Sequence, residues 1–535
     1  MSEGTLLQRF LERAQRHPGR EAFRSAFPTP DIATPWSWQR WCDDALAFAE
    51  TLIAIDVAAG ERIAILAGNH PVWPIADVGA LLAGTVTVGV YPTSAPPQVA
   101  ALLADCGARL AVTDTLAQAR RIASVRHSLP RLVQILCWEG ADLEHDIVGW
   151  HEVVHRRSEA EAERCARTTA VTPETLAMLI YTSGSTGEPK GAEITHRYLT
   201  ASTASIAAVL AWNEEDVTLS FLPFNHAAER ITGLWSRVHS GLATVLVADH
   251  GRIWEAARAA RPTVFGGLPR FYEKLHETML REQRPAAEVI ATQLGGRVRL
   301  ATSGGAALPR EAATALAEGG LAVLGAYGMT EHLCIAFNRP GQPRFDVVGP
   351  AMPGTELRIA EDGEVQIRRS DLTFRGYFRR PDATREAFTA DGAWLRTGDL
   401  GEIDEAGALR IIGRTKEILA LSTGKKVAPG PIEARLTEDP FISQAMLVGE
   451  GEKYIAALLF VPSATTSSEP GALRARLAGV VDRVNRDLSS SEQVKRFAVI
   501  PDELTILAGE LTPTLKLRRD AVAARYRGAI EECYS

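Results

Sequence analysis

The sequence predicts an α/β protein whose large N-terminal domain is built on two doubly wound layers, and three observations carry that expectation. Between residues 62 and 115, β-branched runs at 62–66, 85–91 and 110–113 alternate with helical stretches at 72–82 and 97–105, the pattern of a parallel sheet with covering helices. The pattern returns further on. Short strands at 263–265 and 298–302 lead into Gly266-Gly267 and Gly304-Gly305, and Pro309 opens a helix that ends at Gly319-Gly320 before the sheet resumes at 321–324. After Pro350 the style changes to short strands joined by turns, at 356–359, at 364–367 beyond Asp362-Gly363, and in a hairpin over Asp404-Glu405-Ala406-Gly407. This predicts a smaller β-rich subdomain. Residues 413–416 become rich in glycine and charge before a new α/β stretch, which places a boundary between a domain of 1–413 and one of 414–535.

At 535 residues the chain holds about three or four domain-sized units. Its 46% hydrophobic and 23% charged content is that of an ordinary globular protein. A net charge of −7 provides no positive field to recruit nucleic acid, so a DNA or RNA function is excluded. Cys42, Cys106, Cys137, Cys165, Cys334 and Cys533 are scattered without a Cys-x-x-Cys pair, which fits a reducing cytoplasm. Residues 1–20 lack the charged-then-apolar order of a secretion signal and read as an amphipathic helix with Leu6, Leu7, Phe10 and Leu11 on one side. The uncharged runs 78–91 and 198–212 fall short of the roughly 18 to 20 apolar residues a bilayer requires and are expected in the core. Peripheral contact with a membrane and a homodimer are left open. No tandem repeat or low-complexity tract is present, and only 463–471 reads as a flexible segment.

The most informative segment is Tyr181-Thr182-Ser183-Gly184-Ser185-Thr186-Gly187-Glu188-Pro189-Lys190-Gly191. Glycines let backbone N–H groups turn toward an anion, hydroxyls add donors, and Lys190 adds a full positive charge. A polyphosphate cradle is the chemistry this combination serves. It is not a Walker A loop, because Lys190 stands between Pro189 and Gly191 instead of in Gly-Lys-[Ser/Thr]. Apolar 176–180 leads in as a buried strand, and Thr195 sits where an N-cap opens a helix through Leu199 and Ile206. This segment resembles the signature loop of the adenylate-forming superfamily, which includes acyl-CoA synthetases, peptide-synthetase adenylation domains and firefly-type luciferases. There the loop holds the ATP phosphates while a carboxylate attacks the α-phosphorus, which implies nucleotide-binding roles for Thr182, Ser183, Gly184, Ser185, Thr186, Gly187 and Lys190, and catalytic roles for Thr186 and Lys190 among them.

Further segments extend the resemblance. Alone, His226 fits a structural histidine at least as well as a functional one, but Pro223-Phe224-Asn225-His226-Ala227-Ala228-Glu229-Arg230 resembles a stretch of long-chain fatty acyl-CoA synthetases. That implies that His226 orients the carboxylate and then the thiol, with Glu229 and Arg230 as structural or gating partners. Tyr327-Gly328-Met329-Thr330-Glu331 lies just past an expected strand end, where open α/β sheets bind ligands. By resemblance Tyr327 and Gly328 flank the adenine, with Gly305 nearby, Thr330 contacts the α-phosphate and Glu331 holds Mg2+, a hard cation suited to carboxylate and phosphate oxygens. In Trp394-Leu395-Arg396-Thr397-Gly398-Asp399 the carboxylate suits either a turn cap or two ribose hydroxyls, and the resemblance selects the ribose. Ile412-Gly413-Arg414-Thr415-Lys416-Glu417 matches the family's hinge: Arg414 contacts ribose or phosphate, and Lys416 is the pivot of a small mobile α+β C-terminal domain. Gly424 corresponds to a glycine lining the pantetheine tunnel. Read from residues alone, Lys516 in Thr512-Pro513-Thr514-Leu515-Lys516 is a solvated basic turn, whereas by resemblance it is the adenylation lysine, in the form that long-chain synthetases show.

The resemblance runs from Trp36-Ser37-Trp38 to Lys516, and the segments 64–69, 90–94 and 261–270 favour the long-chain branch. Small residues at Gly266, Gly267, Gly304, Gly305, Gly325 and Ala326 leave room for an acyl tunnel or serve tight strand-to-helix turns. The implied reaction joins ATP and a medium- to long-chain fatty acid into acyl-AMP, and coenzyme A then displaces AMP. Three alternatives compete. An acyl-AMP ligase loading a carrier protein would carry an insertion before the hinge that is not found here. A peptide-synthetase adenylation domain would be followed by a carrier domain, whereas this sequence stops soon after Lys516. A catalytically silent nucleotide-binding protein would have lost Lys190, Glu331, Asp399 or Lys516, and all four are present.

Overall fold

Parallel strands covered on both faces require near-continuous apolar runs, and the chain supplies two sets of them. The computed structural model describes residues 4–29, 32–154, 160–182, 189–439, 441–462, 470–505, 508–512 and 517–535. These divide into two compact units, Met1–Leu357 with Ile367–Leu395, and Arg358–Gln366 with Arg396–Ser535.

In the larger unit, seven strands among the described residues form one sheet in the order Ile147–Gly149, Gln134–Cys137, Ala108–Thr113, Arg62–Leu66, Val86–Gly89, Leu176–Thr182, Lys190–Thr195. Every neighbouring pair is parallel except the last. Ile63, Ala64, Ile65 and Leu66 are fully buried, as a central strand requires. The helix Val72–Leu82 is buried along its whole length, which accounts for the start of the uncharged run at 78–91. Its one ionised side chain, Asp77, is paired with Arg230.

A second sheet of eight strands runs His332–Phe337, Val323–Met329, Leu300–Gly304, Val264–Gly267, Val217–Ser220, Ala243–Leu246, Glu21–Ser25, Trp36–Ser37. It is parallel from Glu21–Ser25 to Val323–Met329 and antiparallel at both ends. The predicted doubly wound layers are these two sheets. The amphipathic N-terminal helix is Leu6–Arg16, with Leu6, Leu7 and Phe10 buried. Phe10 meets Trp38 and Trp41 edge-on, with ring centroids 6.3 and 4.8 Å away. The run 198–212 lies mostly in the helix His196–Leu210, and among the described residues no helix is long and apolar enough to cross a membrane.

The smaller unit begins with β-structure. The strand Trp394–Ile403, most of which it contains, turns into Ala408–Arg414 across a loop in which Asp404 Oδ1 accepts the amides of Ala406 and Ala408 and Gly407 takes φ +78°. This is the predicted hairpin. Beyond it, Gln444–Val448 and Ile455–Phe460 pair antiparallel and Val494–Ile500 adds in parallel. Alternate side chains pack on opposite faces: Leu447, Ala457 and Leu459 meet Ile432, Leu436 and Leu477, while Met446, Leu458 and Phe460 meet Val522. Most of the flexible-looking segment 463–471 lies outside the described residues.

Candidate active site

Two of the antiparallel edge strands of the larger unit, Lys190–Thr195 and His332–Phe337, belong to hairpins that carry residues of the predicted motifs. In the first, Leu176–Thr182 pairs with Lys190–Thr195, so Tyr181 faces Gly191 and Thr182 faces Lys190. Thr182 and Lys190, at the two ends of the candidate phosphate segment, are thereby set opposite one another. Ser183, Gly184, Ser185, Thr186 and Gly187 lie outside the described residues. A methyl on Gly191 would lie 3.1 Å from the Tyr181 ring, and the Tyr181 hydroxyl donates to Asp105 at 2.6 Å. Thr195 then caps the helix His196–Leu210 by accepting the Tyr198 amide, as predicted.

The strand Lys190–Thr195 was not foreseen. Its sequence, with Gly191 and Glu193, has little strand propensity of its own. Residues 374–378 complete it from the outside: Glu193 N–H donates to Gly376 O at 2.9 Å, Arg375 N–H to Glu193 O at 3.0 Å and Phe378 N–H to Gly191 O at 2.8 Å. Nearly two hundred residues of chain separate these partners, so no local window reveals the pairing.

In the second hairpin, Val323–Met329 pairs with His332–Phe337, matching Tyr327 to Ala336 and Met329 to His332 with an irregularity between them at Gly328. The strand thus extends through the motif, and Thr330-Glu331 forms the turn. Gly328 has no alternative, because a Cβ there would sit 1.6 Å from Leu333 O. Next to this hairpin, Gly304 pairs with Ala326, and Gly305 takes φ +85° at the end of the adjacent parallel strand. Gly305 and Tyr327 are thereby placed at neighbouring strand ends, where open sheets bind ligands. Methyl groups on Gly266 and Gly267 would lie 3.1 Å from Thr302 Oγ1 and 3.3 Å from Phe271 Cδ2, so these two glycines allow close packing.

Tyr198 joins the two hairpins. Its hydroxyl accepts the Leu333 amide at 2.8 Å and donates to Thr330 O at 3.0 Å. Tyr377, which sequence reasoning missed, joins them again: its ring lies 5.6 Å from Lys190 Nζ, and its hydroxyl donates to Glu331 Oε1 at 2.5 Å. Phe374 N–H holds Glu331 O at 2.9 Å. Burial, with the Glu331 charge second, pushes the Tyr377 hydroxyl well above the ordinary phenol range, so it stays a proton donor. Glu331 is only 6% exposed. Among the described residues no group of three or more His, Cys, Asp or Glu side chains forms a metal cage. A single oriented carboxylate suits magnesium, which is usually held by one or two carboxylates and substrate phosphates.

His226 is held by a different set of contacts. It follows the strand Val217–Ser220, and its Nδ1 accepts the Ala228 amide at 3.2 Å, which leaves the neutral ring protonated at Nε2. The π-helical segment Ala228–Trp235 follows. Its Glu229 accepts Ser220 Oγ at 2.6 Å and Arg237 Nη2 at 2.8 Å, while Asn69 Nδ2 donates to Ser220 Oγ at 3.1 Å. Arg230 binds Asp77 and Thr87, and Trp235 Nε1 donates to Asp77 at 3.0 Å. Burial pushes Glu229 up and Arg237 down, each opposed by the charge of the other. Arg230 therefore ties the helix Val72–Leu82 and the strand Val86–Gly89 of one sheet to the segment that follows Val217–Ser220 of the other, and Glu229 braces that segment through Ser220 and Arg237. At the same junction a Cβ on Gly89 would lie 2.7 Å from Asn225 Cα, so the backbone beside His226 touches the first sheet directly.

In the smaller unit Asp399 and Arg414 are cross-strand partners, with Arg414 Nε 3.2 Å from Asp399 Oδ1. Asp399 is 6% exposed and lies within the strand, past a turn of the backbone at Gly398, φ +71°. Gly398 N–H and Arg396 Nε both donate to Glu364, at 3.0 and 2.9 Å. Lys416 occupies the 3-10 turn Thr415–Glu417. Gly424, φ +79°, turns the hairpin between Leu419–Ala420 and Lys426–Val427, and a Cβ there would meet nothing within 4 Å. The glycine is required locally by backbone conformation. Lys516 lies outside the described residues; Leu511 and Leu517 on either side of it are bridged, and Arg518 N–H donates to Glu510 O at 2.8 Å.

The family model described as AMP-binding enzyme matches residues 10–378, and that of the AMP-binding enzyme C-terminal domain matches residues 416–535. The long-chain-fatty-acid–CoA ligase FadD15 of Mycobacterium bovis is 32% identical, over 91% of this chain and 90% of its own. The long-chain-fatty-acid–CoA ligase ACSBG2 of Gallus gallus is 28% identical, over 93% of this chain and 77% of its own. Among solved structures, the anthranilate CoA ligase AuaEII in complex with anthranoyl-AMP superposes with a TM-score of 0.83 at 21% identity, covering 99% of this chain and 98% of that one. ATP-bound MatB from Rhodopseudomonas palustris gives 0.78 at 22%, covering 98% and 99%. These likenesses establish a mixed α/β fold with a large N-terminal and a smaller C-terminal domain. The two family models together span most of the sequence, and the chain belongs to the AMP-binding enzyme family.

Proposed function

We propose that this protein is an ATP-dependent acyl-CoA synthetase, an acid-thiol ligase that activates a medium- to long-chain fatty acid as acyl-AMP and transfers it to coenzyme A. The observation that carries this reading is the convergence of Lys190 and Glu331 on Tyr377 beside the predicted phosphate cradle. The named fatty-acid–CoA ligases among the relatives support the substrate class.

In this reading the loop 182–190 and Lys190 grip the ATP phosphates, Tyr327, Gly328 and Gly305 receive the adenine, and Thr330 meets the α-phosphate. Asp399 and Arg414 take the ribose. Magnesium would be held by Glu331 and ATP oxygens, where it neutralises charge as pyrophosphate leaves. His226, protonated at Nε2, donates to the fatty carboxylate and directs an oxygen toward the α-phosphorus. Lys516 stabilises the charge that develops there, so most of the rate comes from electrostatics. The domain of 414–535 then turns about Lys416, Gly424 gives the thiol its path, and the CoA sulfur attacks the acyl carbonyl and expels AMP. The reaction is placed in the cytoplasm, with the protein free or peripheral at a membrane.

The test is ATP–pyrophosphate exchange over carboxylic acids from acetate to palmitate, repeated with CoA and thioester detection. Exchange and thioester formation are expected with the medium and long acids. Exchange without thioester would assign the acyl-AMP to a carrier protein instead, and equal turnover of acetate and palmitate would remove the chain-length claim. Lys516→Ala should slow acyl-AMP formation by about 10² to 10³ and leave conversion of supplied acyl-AMP little changed. Equal loss in both half-reactions would refute the two-conformation mechanism.

A further inference from the structure

Tyr377 touches two charged groups of the proposed nucleotide site, Lys190 and Glu331, while belonging to neither of their motifs. Its backbone is fixed on three sides. Ala192 of the edge strand is its bridge partner, Thr384 Oγ1 accepts its N–H at 2.9 Å, and Arg380 N–H donates to its carbonyl at 3.1 Å. The preceding Gly376 is packed so closely that a Cβ would lie 2.7 Å from Thr384 Cγ2. Phe374 holds the Tyr377 ring edge-on, with centroids 4.9 Å apart, and its own amide holds the Glu331 carbonyl. A side chain anchored in this way has little freedom to follow its partners; its partners must settle on it.

The two contacts are chemically distinct. The ring presents a π-face to the Lys190 ammonium at 5.6 Å, and the hydroxyl gives its proton to Glu331 Oε1 at 2.5 Å. The first contact directs a flexible lysine. The second fixes the rotation of a carboxylate. We infer that Tyr377 is a positioning residue for nucleotide binding, setting Glu331 for the metal through its hydroxyl and Lys190 for the phosphates through its ring. The inference rests on the proposed function for the identity of the ligand and adds the residue that orders its two charged contacts.

Separate substitutions divide the two roles. Tyr377→Phe keeps the ring and removes the hydroxyl; Tyr377→Leu removes both. The readouts are binding of Mn2+ in the presence of ATP by electron paramagnetic resonance, and binding of ATP with chelator by calorimetry, both on full-length protein with thermal unfolding as a control. Tyr377→Phe should weaken Mn2+ binding about tenfold and leave metal-free ATP binding unchanged. Tyr377→Leu should weaken metal-free ATP binding several-fold as well. Glu331→Gln should weaken Mn2+ binding at least as much as Tyr377→Phe, and the double variant should add little to it. Wild-type Mn2+ affinity in Tyr377→Phe, or additive losses in the double variant, overturns the inference, as does equal metal-free ATP binding by the Phe and Leu variants. If the wild type binds metal and ATP with these dependences but forms no acyl-AMP, the positioning role stands and the proposed reaction fails.

Discussion

Gly328→Ala tests whether the hairpin of Val323–Met329 and His332–Phe337 depends on the close approach of its two strands. The alanine Cβ would start 1.6 Å from Leu333 O and 2.6 Å from Leu333 C, both backbone atoms that no side-chain rotation can move aside. Reaching even 3.0 Å requires the strands to part by about 1.4 Å at this point, since 3.0 less 1.6 leaves that distance. A backbone hydrogen bond of about 2.9 Å does not survive such a stretch. The pairings of Tyr327 with Ala336 and of Met329 with His332 flank the site on either side. Loss of two to four of their bonds, at about 1 kcal/mol net each, costs about 2 to 4 kcal/mol. If binding requires the intact hairpin, ATP affinity should fall roughly 30- to 700-fold. Calorimetric titration with ATP measures this directly, and pyrophosphate exchange should fall in parallel. The rest of the sheet is untouched, so the protein should remain folded by circular dichroism. A folded variant that binds ATP within threefold of wild type would refute the reasoning, because the hairpin would then have tolerated a contact that its geometry forbids.

Three further outcomes are expected. Asp77→Asn leaves Arg230 and the Trp235 N–H without a charged partner where both ionised side chains are 0% exposed, so it should cost about 3 to 5 kcal/mol in urea denaturation; an unchanged midpoint would show that the pair is not structural. Burial lowers His196 to about 4 from 6.5, so its contribution to stability is present above pH 6.5 and is lost as pH falls toward 4; His196→Gln should shift acid unfolding to lower pH, and an unmoved acid midpoint would exclude it. Gly424→Leu and Gly424→Asn should both reduce thioester formation while acyl-AMP formation stays nearly intact. Because asparagine tolerates the left-handed backbone at φ +79°, an Asn variant with wild-type thioester formation would trace the requirement for glycine to the local turn alone.

Much of the fold was legible because its signals are local. The strand Arg62–Leu66 and the helix Val72–Leu82 end where the sequence predicts, since β-branched runs, an uninterrupted apolar stretch and glycine breaks each act over a few residues. Thr195 was readable as an N-cap for the same reason. Glu229 and Arg230 are named by their motif, but their network is not: Asp77, Thr87 and Ser220 come from separate elements, and a buried ion pair leaves no periodicity in sequence. Tyr377 gave no signal because its significance depends on a strand pairing across nearly two hundred residues.

The sequence by itself determined the parallel α/β layers, the candidate phosphate, adenine and ribose segments and the family, because hydrophobic periodicity, turn chemistry and a Gly-, Ser- and Lys-rich motif are all written over short spans. Only the tertiary structure decided that the candidate phosphate and adenine segments border on two edge hairpins, that Tyr198 ties those hairpins together, and that Tyr377 stands between the Lys190 ammonium and the Glu331 carboxylate. These contacts arise when packed sheets bring sequence-distant backbones within hydrogen-bonding distance, and their geometry belongs to the packing of the whole unit.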